Sequence, residues 1–346
     1  MLTEFDRESP SGSRVNLVGP LDGIRVLEMA GLGPAPVAAV VLGDLGADVI
    51  RIDRPPGSLP GTLDRVTCRN RRSLALDLKK QDAVALLLDL VSDADVLLEG
   101  FRPGVAERLG FGPDICIERN PQLIYGRMTG WGQTGPLADH PGHDINYIAL
   151  SGALDAVGSA GGKPIPPLNL VGDFGGGALY LAVGVLAALY ERSASGHGQV
   201  IDAAMVDGAA SLMSMIYELR DLGLWGGERG TNLLDGGCPF YDAYRTADGR
   251  YMAVGALEPQ FFEVFVKKLG IDRTGKPGQY DERGWPEMRR EIAAAFATRT
   301  RDEWSSVFAG AAACVTPVLP MGDAPHHPHN AQRGTFIDVG GSIQPG

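Results

Sequence analysis

The chain has 346 residues and 44% of them are hydrophobic, enough for a large core and for two domains rather than one. A formal net charge of −11 argues against nucleic acid or an anionic membrane as the main partner, but leaves room for an anionic small ligand at a local basic cluster. The four cysteines, Cys68, Cys116, Cys238 and Cys314, are scattered and form no CxxC, which points to free thiols in a reducing compartment and not to a zinc or redox-dithiol site.

Residues 1–18 are polar with mixed charge and lack an apolar h-region, so they read as a flexible lead-in and not as a secretory signal. No run reaches the roughly 18 apolar residues that a bilayer span needs, and the expected location is cytoplasmic. "GIRVLEMAG" (23–31) is strand-like, "APVAAVVLGDLGA" (35–47) has helical spacing, and "DVIRIDRP" (48–55) is strand-like again. "SLALDL" (73–78) alternates, "DAVALLLDLVSDA" (82–94) is helical, and "DVLLEGF" (95–101) and "LIYGRMTGWG" (123–132) return as strands. This alternation predicts a parallel sheet with helices on its faces and a ligand beyond the carboxyl ends of the strands.

The second half differs. "GGGALYLAVGVLAALYER" (175–192) reads as a long buried helix, and residues 198–220 as a short strand followed by one helix. Residues 239–257 form two alternating runs around "ADG", a hairpin signal. Amphipathic helices follow near 259–270 and 285–298, then "DEWSSVFAG" and "CVTPVLP". The expected fold class is α/β: a Rossmann-like large domain over 19–219, including a linker helix, and a smaller α+β domain over 220–335. Residues 336–346 read as the start of a return segment that is cut short. "HHPH" (326–329) sits in a Pro-broken stretch and reads as a surface loop, not a metal site.

Three constellations could carry chemistry. "GLGPAP" (31–36), with Asp53 at the end of the next strand, is a partial dinucleotide fingerprint. Pro36 stands where the third glycine belongs, so a tight strand-to-helix turn is the better reading. The second is basic: Arg51, Arg54, Arg69, Arg71, Arg72, Lys79, Lys80, Arg102 and Arg108 fall near element ends, and arginine forks suit phosphate. They could form a solvated surface or a pocket for a polyphosphate such as the ADP end of coenzyme A. The third is acid–base. His143 opens the helix "INYIALSGAL", Asp173 ends an apolar strand before a glycine run, and Glu258 follows a hairpin strand before a Pro that opens a helix. Each could be a simple cap, since acids favour helix starts. Together they match an enzyme that moves protons on both faces of a planar intermediate.

"GHDINYIALSG", "PPLNLVGDFGGG", "GQVIDAAMVDG", "NLLDGGCPFYDAYRTADGRYMAVGALEPQF" and "CVTPVL" together resemble the α-methylacyl-CoA racemases of the family III CoA-transferase (CaiB/BaiF) superfamily, from about Gly19 to about Phe336. The resemblance implies an interlocked homodimer with catalytic His143 and Asp173, and Glu258 supporting the histidine from the partner chain. It implies CoA contacts at Arg54, Arg69, the Leu76, Asp77, Leu78 and Lys79 segment, Arg108, and the Gly142, Asp144, Ile145, Asn146 and Tyr147 segment. It also implies an isomerase that interconverts (2R)- and (2S)-2-methylacyl-CoA by 1,1-proton transfer through an enolate. No metal or separate cofactor is expected, since coenzyme A belongs to the substrate. Backbone N–H groups near Asp144 are expected to hold the enolate oxygen.

Two alternatives stay open at this stage. One is a CoA-transferase in which Asp173 forms an acyl anhydride. The other is a non-catalytic acyl-CoA-binding dimer. The acyl group is not specified: branched fatty acyl, sterol side-chain and 2-arylpropanoyl tails all fit, and "SLMSMIYEL" (211–219) is either an apolar tail surface or a buried helix face.

Overall fold

The computed structural model describes residues 19–55 and 69–346, so the lead-in at 1–18 and Cys68 lie outside the described residues. Its first unit contains six strands: β1 (Arg25–Met29), β2 (Asp48–Asp53), β3 (Arg71–Ala75), β4 (Val96–Glu99), β5 (Ile124–Thr129) and β6 (Val200–Ala204). They pair in parallel in the order β3-β2-β1-β4-β5-β6. The order reverses between β1 and β4, which opens a crevice at the carboxyl ends of those two strands. β4 and β5 are buried along their whole length, as parallel strands covered on both faces should be.

One sheet face carries Val26, Val49, Val96, Leu98 and Ile124 and packs against α1 (Pro34–Asp44). The other carries Leu27, Met29, Leu97 and Tyr125 and packs against α2 (Gln81–Ser92), α3 (Val105–Leu109) and α4 (Pro113–Arg119). The sequence reading did not foresee the two short helices α3 and α4. α1 follows from its entry: Gly33 takes a positive φ of 78° and Pro34 occupies the first helical turn, so the strand-to-helix turn is tight. The region that completes this unit holds α5 (Asp144–Leu150), a π-helix (Leu170–Ala178), α7 (Leu179–Ser195) and α8 (Met205–Leu212), while α6 (Ala153–Ala156) and α9 (Ser214–Asp221) run across the boundaries at which the chain passes to the second unit. The single helix expected after β6 is thus two, parted at Met213.

The π-helix is a correction, because Asp173 was expected at the end of a strand. A short apolar run does not by itself distinguish the two periods. The glycines decide it in three dimensions. A Cβ at Gly176 would lie 2.5 Å from the Ala209 backbone nitrogen, and one at Gly177 would lie 2.9 Å from Met205 Cγ. The segment therefore coils against α8 at a distance that only glycine permits. The joined stretch Leu170–Ser195 is also long and apolar enough, by length and composition, to cross a membrane. The apolar-run criterion missed this, because polar residues interrupt the stretch. Leu181, Ala182, Val185 and Ala188 bury one face of it in the core. Leu179, Val183 and Tyr190 are exposed.

The second unit comprises Asp155–Ile165 and Ile216–Gly346. Arg229 ties Asp155–Ile165 to this unit by donating to the Asp155 carbonyl at 2.8 Å, the Asp155 carboxylate at 2.5 Å and the Gly162 carbonyl at 2.8 Å. The hairpin of β7 (Tyr241–Arg245) and β8 (Tyr251–Gly255) forms as its turn sequence predicts, and β9 (Val315–Pro317) adds a third antiparallel strand. α10 (Pro259–Leu269), α11 (Trp285–Phe296) and α12 (Arg301–Phe308) supply an aromatic core around Phe240, Phe265, Phe296 and Trp304. His326–His329 is not a plain loop: α13 (Pro328–Arg333) begins inside it. Among the described residues no cluster of three or more His, Cys, Asp or Glu could hold a metal ion. Residues 336–346 contain an antiparallel hairpin of β10 (Phe336–Val339) and β11 (Ser342–Pro345).

Candidate active site

His143 is the N-cap of α5, in extended backbone. Its own N–H donates to Asn146 Oδ1 at 3.1 Å, and its carbonyl accepts the Asn146 N–H at 2.8 Å. The side chain is exposed, while Asp144 and Tyr147 beside it are buried. Asp144 reaches across to the π-helix, where Oδ2 accepts the Asp173 backbone N–H at 2.7 Å. Gly172 makes this approach possible, since a Cβ there would stand 2.6 Å from that oxygen.

The Asp173 carboxylate lies beside Gly33, in the turn after β1: a Cβ at Gly33 would be 3.6 Å from Asp173 Oδ2. This puts Asp173 at the crevice where the strand order reverses. The same oxygen accepts from Asn169 Nδ2 at 3.0 Å. Burial pushes the Asp173 carboxyl above the usual aspartate range; the Asn169 bond opposes this, the Asp144 charge adds to it, and His143 draws it back.

Tyr147 packs edge-on against Trp131, with ring centroids 4.8 Å apart. Gly142 leaves space for it, because a Cβ there would be 2.7 Å from Tyr147 Cε1. Burial raises the Tyr147 phenol's affinity for its proton, Asp173 and Asp144 add to the rise, and Arg102 opposes it. Arg102 therefore belongs to this corner. The turn that carries it is fixed from beneath. Buried Glu99, at the end of β4, accepts from the Phe101 N–H at 2.6 Å and from Arg127 Nε at 3.0 Å. Burial pushes the Glu99 carboxyl up to about 7, against the pull of those two donors.

The CoA candidates separate into two groups. Arg54 follows β2, Leu76, Asp77, Leu78 and Lys79 follow β3, and Arg108 lies on α3 after β4, so all sit beyond carboxyl ends of the sheet. Gly142, Ile145 and Asn146 lie with His143 at the start of α5. Arg54, Lys79, Arg102 and Arg108 are exposed. Arg69 is not with them. It precedes the amino end of β3, the opposite edge of the sheet, and its guanidinium holds Asp44 at 2.5–3.2 Å. Three other members of the basic cluster are engaged with carboxylates: Arg71 with Glu28, Arg72 with Asp48 at 2.6 Å and Arg51 with Asp53 at 2.9 Å. Arg51 and Asp53 share β2, but the acids that hold Arg71 and Arg72 come from other strands, so those pairs cannot be read from spacing.

Glu258 is the N-cap of α10 in the second unit and is exposed. Its charge raises the proton affinity of Tyr280 and Cys314, beyond what burial does to each. Asn169 was missed in the sequence. The only signal available was a polar side chain four residues before an acid at the head of a glycine run.

The model of the family described as CoA-transferase family III matches residues 21–343. The chain belongs to CoA-transferase family III. Two curated relatives in the family are named alpha-methylacyl-CoA racemase. The Mus musculus protein is 49% identical over 320 residues, covering 92% of this chain and 83% of its own. The Homo sapiens protein is 50% identical over 317 residues, covering 92% and 82%. The crystal structure of a CAIB/BAIF family protein from Brucella suis matches with a TM-score of 0.80 at 25% identity, over 94% of this chain and 91% of that one. A family III relative from Mycobacterium tuberculosis, described as a probable fatty acyl-CoA transferase, is 34% identical over 318 residues, 84% of this chain and 80% of its own.

Proposed function

We propose that this chain is an isomerase that interconverts (2R)- and (2S)-2-methylacyl-CoA thioesters by 1,1-proton transfer. The observation that carries this reading is the pairing of His143 with Asp173. The Asp144 carboxylate, next in the chain to His143, accepts the Asp173 N–H at 2.7 Å and so joins the two elements that bear these side chains, in a chain half-identical to named racemases. A carbon between two such groups can lose a proton on one face and regain one on the other.

In this reading His143 removes the α-proton of the 2S thioester and Asp173, protonated, returns one on the opposite face. The 2R substrate reverses the roles. The thioester carbonyl acidifies the α-carbon, so the step needs a base, an acid and a donor for the enolate oxygen, and no electron acceptor. The Asp144 N–H, first of α5 and without an acceptor inside the helix, would supply that donor. The raised proton affinity of Asp173 suits a group that must both hold and release a proton near working pH. Arg54, Lys79 and Arg108 would receive the CoA phosphates. Glu258 would support His143 from a second copy of the chain. Exposed Leu179, Val183 and Tyr190 on α7 support a homodimer, since a bare apolar face of this kind favours burial.

A CoA-transferase is the second reading. Relatives at 31–34% identity carry transferase names, and a carboxylate at Asp173 could also attack a thioester. Incubation of the protein with each epimer of a 2-methylacyl-CoA in deuterium oxide separates the two. Racemase chemistry predicts loss of the α-proton signal from both epimers and convergence on one mixture without a carboxylic acid acceptor. CoA transfer that requires an acceptor acid, with the α-proton retained, would replace that conclusion with the transferase.

A further inference from the structure

The proton-transfer reading uses the backbone of Asp144 but leaves its carboxylate without a role. That carboxylate is not placed as a helix-start acid usually is. It is buried at 6% exposure, and it bonds out of its own helix to the Asp173 N–H at 2.7 Å. The contact is built from both sides, because Gly172 omits a Cβ that would stand 2.6 Å from Asp144 Oδ2. The other oxygen, Oδ1, is buried and has no hydrogen-bond partner among the described residues. A buried carboxylate with an unsatisfied oxygen is costly, and a fold tends to retain one where it does something.

We propose that the Asp144 carboxylate is the positioning residue for Asp173: it pins the turn of the π-helix that carries Asp173 against the start of α5, and it keeps a second negative charge beside the Asp173 carboxyl. This deepens the racemase reading and rests on it for the catalytic consequence. One side chain thus ties together the two elements that bear His143 and Asp173. Its neighbouring negative charge makes ionised Asp173 less favourable, so Asp173 more readily holds the proton that it must return to an enolate. Few other charges compete at this point. From α5, His143 opposes the effect and Tyr147 lies within electrostatic reach, and from the turn after β4 the Arg102 cation acts on Tyr147 in the same corner. The first turn of α1 has no acidic residue. On α7, Tyr180 is bonded to Ser211 at 2.6 Å. On α8, Asp207 lines a surface hollow with Asp202. From the π-helix entry, Asn169 bonds Asp173 directly.

The test compares Asp144→Asn and Asp144→Ala in the full chain. Asparagine keeps an acceptor for the Asp173 N–H and removes the charge; alanine removes both. The first readout is the carboxyl titration of Asp173 by carbon-13 NMR, assigned with Asp173→Asn. It should move to lower pH in Asp144→Asn. The second is amide hydrogen exchange at residue 173, which should lose protection in Asp144→Ala and keep it in Asp144→Asn. The third is epimer-resolved α-proton exchange. In Asp144→Ala the 2R rate should fall roughly tenfold relative to the 2S rate, the scale of one lost charge-assisted hydrogen bond. A purely structural role would lower both epimers together and leave the Asp173 titration in place, and that result would overturn the proposal. If alanine prevents folding, the asparagine variant decides alone through the titration. If the wild-type protein exchanges neither epimer, the racemase reading fails separately, while the titration and the amide exchange still decide what Asp144 does.

Discussion

Asn169 Nδ2 donates to Asp173 Oδ2 at 3.0 Å, so the proposed acid–base carboxylate is held by a side chain four residues earlier, at the N-cap of the π-helix. This bond favours the ionised carboxylate. Asn169→Ala should therefore raise the pH at which Asp173 ionises. It should also slow 2R α-proton exchange by about tenfold, through the loss of one hydrogen bond to a charged group. A pH series of 2R exchange rates checks both; an unchanged acidic limb would remove Asn169 from the account.

The burial that raises the Asp173 pKa has a cost for folding. A group whose folded pKa lies above its unfolded value contributes stability below the unfolded pKa and loses it as pH rises through the folded pKa. Asp173→Asn should therefore melt higher than the wild type at pH 7–8, and the gap should close on acidification below the ordinary aspartate range of about 4. Melting temperatures measured across that span test the sign.

The Glu28–Arg71 pair is buried on both sides, and Arg71 also donates to the Pro36 carbonyl in α1. Burial pushes the Glu28 carboxyl up to about 7, against the pull of Arg71. Arg71→Met leaves Glu28 in the interior without this cation and should cost about 3–5 kcal/mol. Denaturant unfolding at pH 8 measures the loss. Exposed Arg54 should behave in the opposite way: Arg54→Ala should weaken CoA binding, with a reduced salt dependence, at little cost to stability. Calorimetric titration with CoA distinguishes the two arginines.

Gly176 faces backbone, not a movable side chain, at 2.5–2.8 Å from where its Cβ would be. Gly176→Ala must push the π-helix away from α8 and should destabilise by about 1–3 kcal/mol. Because the π-helix carries Asp173, exchange from the 2R epimer should suffer more than exchange from the 2S. Equal losses at both epimers would show that the strain does not reach the carboxylate.

The helix start after His143 and the parallel sheet were legible in the chain. The His143 corner could be read because a helix start has a local grammar: a capping residue, then a periodic apolar run. The sheet could be read because apolar strands alternate with helical spacings from β1 to β5. What failed was information held between segments. "LVGDFGGG" looks like a strand until α8 is packed against its glycines. Arg69, Arg71 and Arg72 look like phosphate ligands until Asp44, Glu28 and Asp48 arrive from other elements to hold them. Asn169 has no mark of its own in the sequence and gains its role only when the π-helix brings it onto Asp173.

The central claim is that His143 and Asp173 each serve one face of the substrate carbon. Epimer-resolved α-proton exchange in deuterium oxide, with His143→Ala and Asp173→Asn run beside the wild type, tests it most directly. The account predicts that His143→Ala loses exchange from the 2S thioester while retaining part of it from the 2R, and that Asp173→Asn does the reverse. Wild-type rates for both epimers in either folded variant would contradict it.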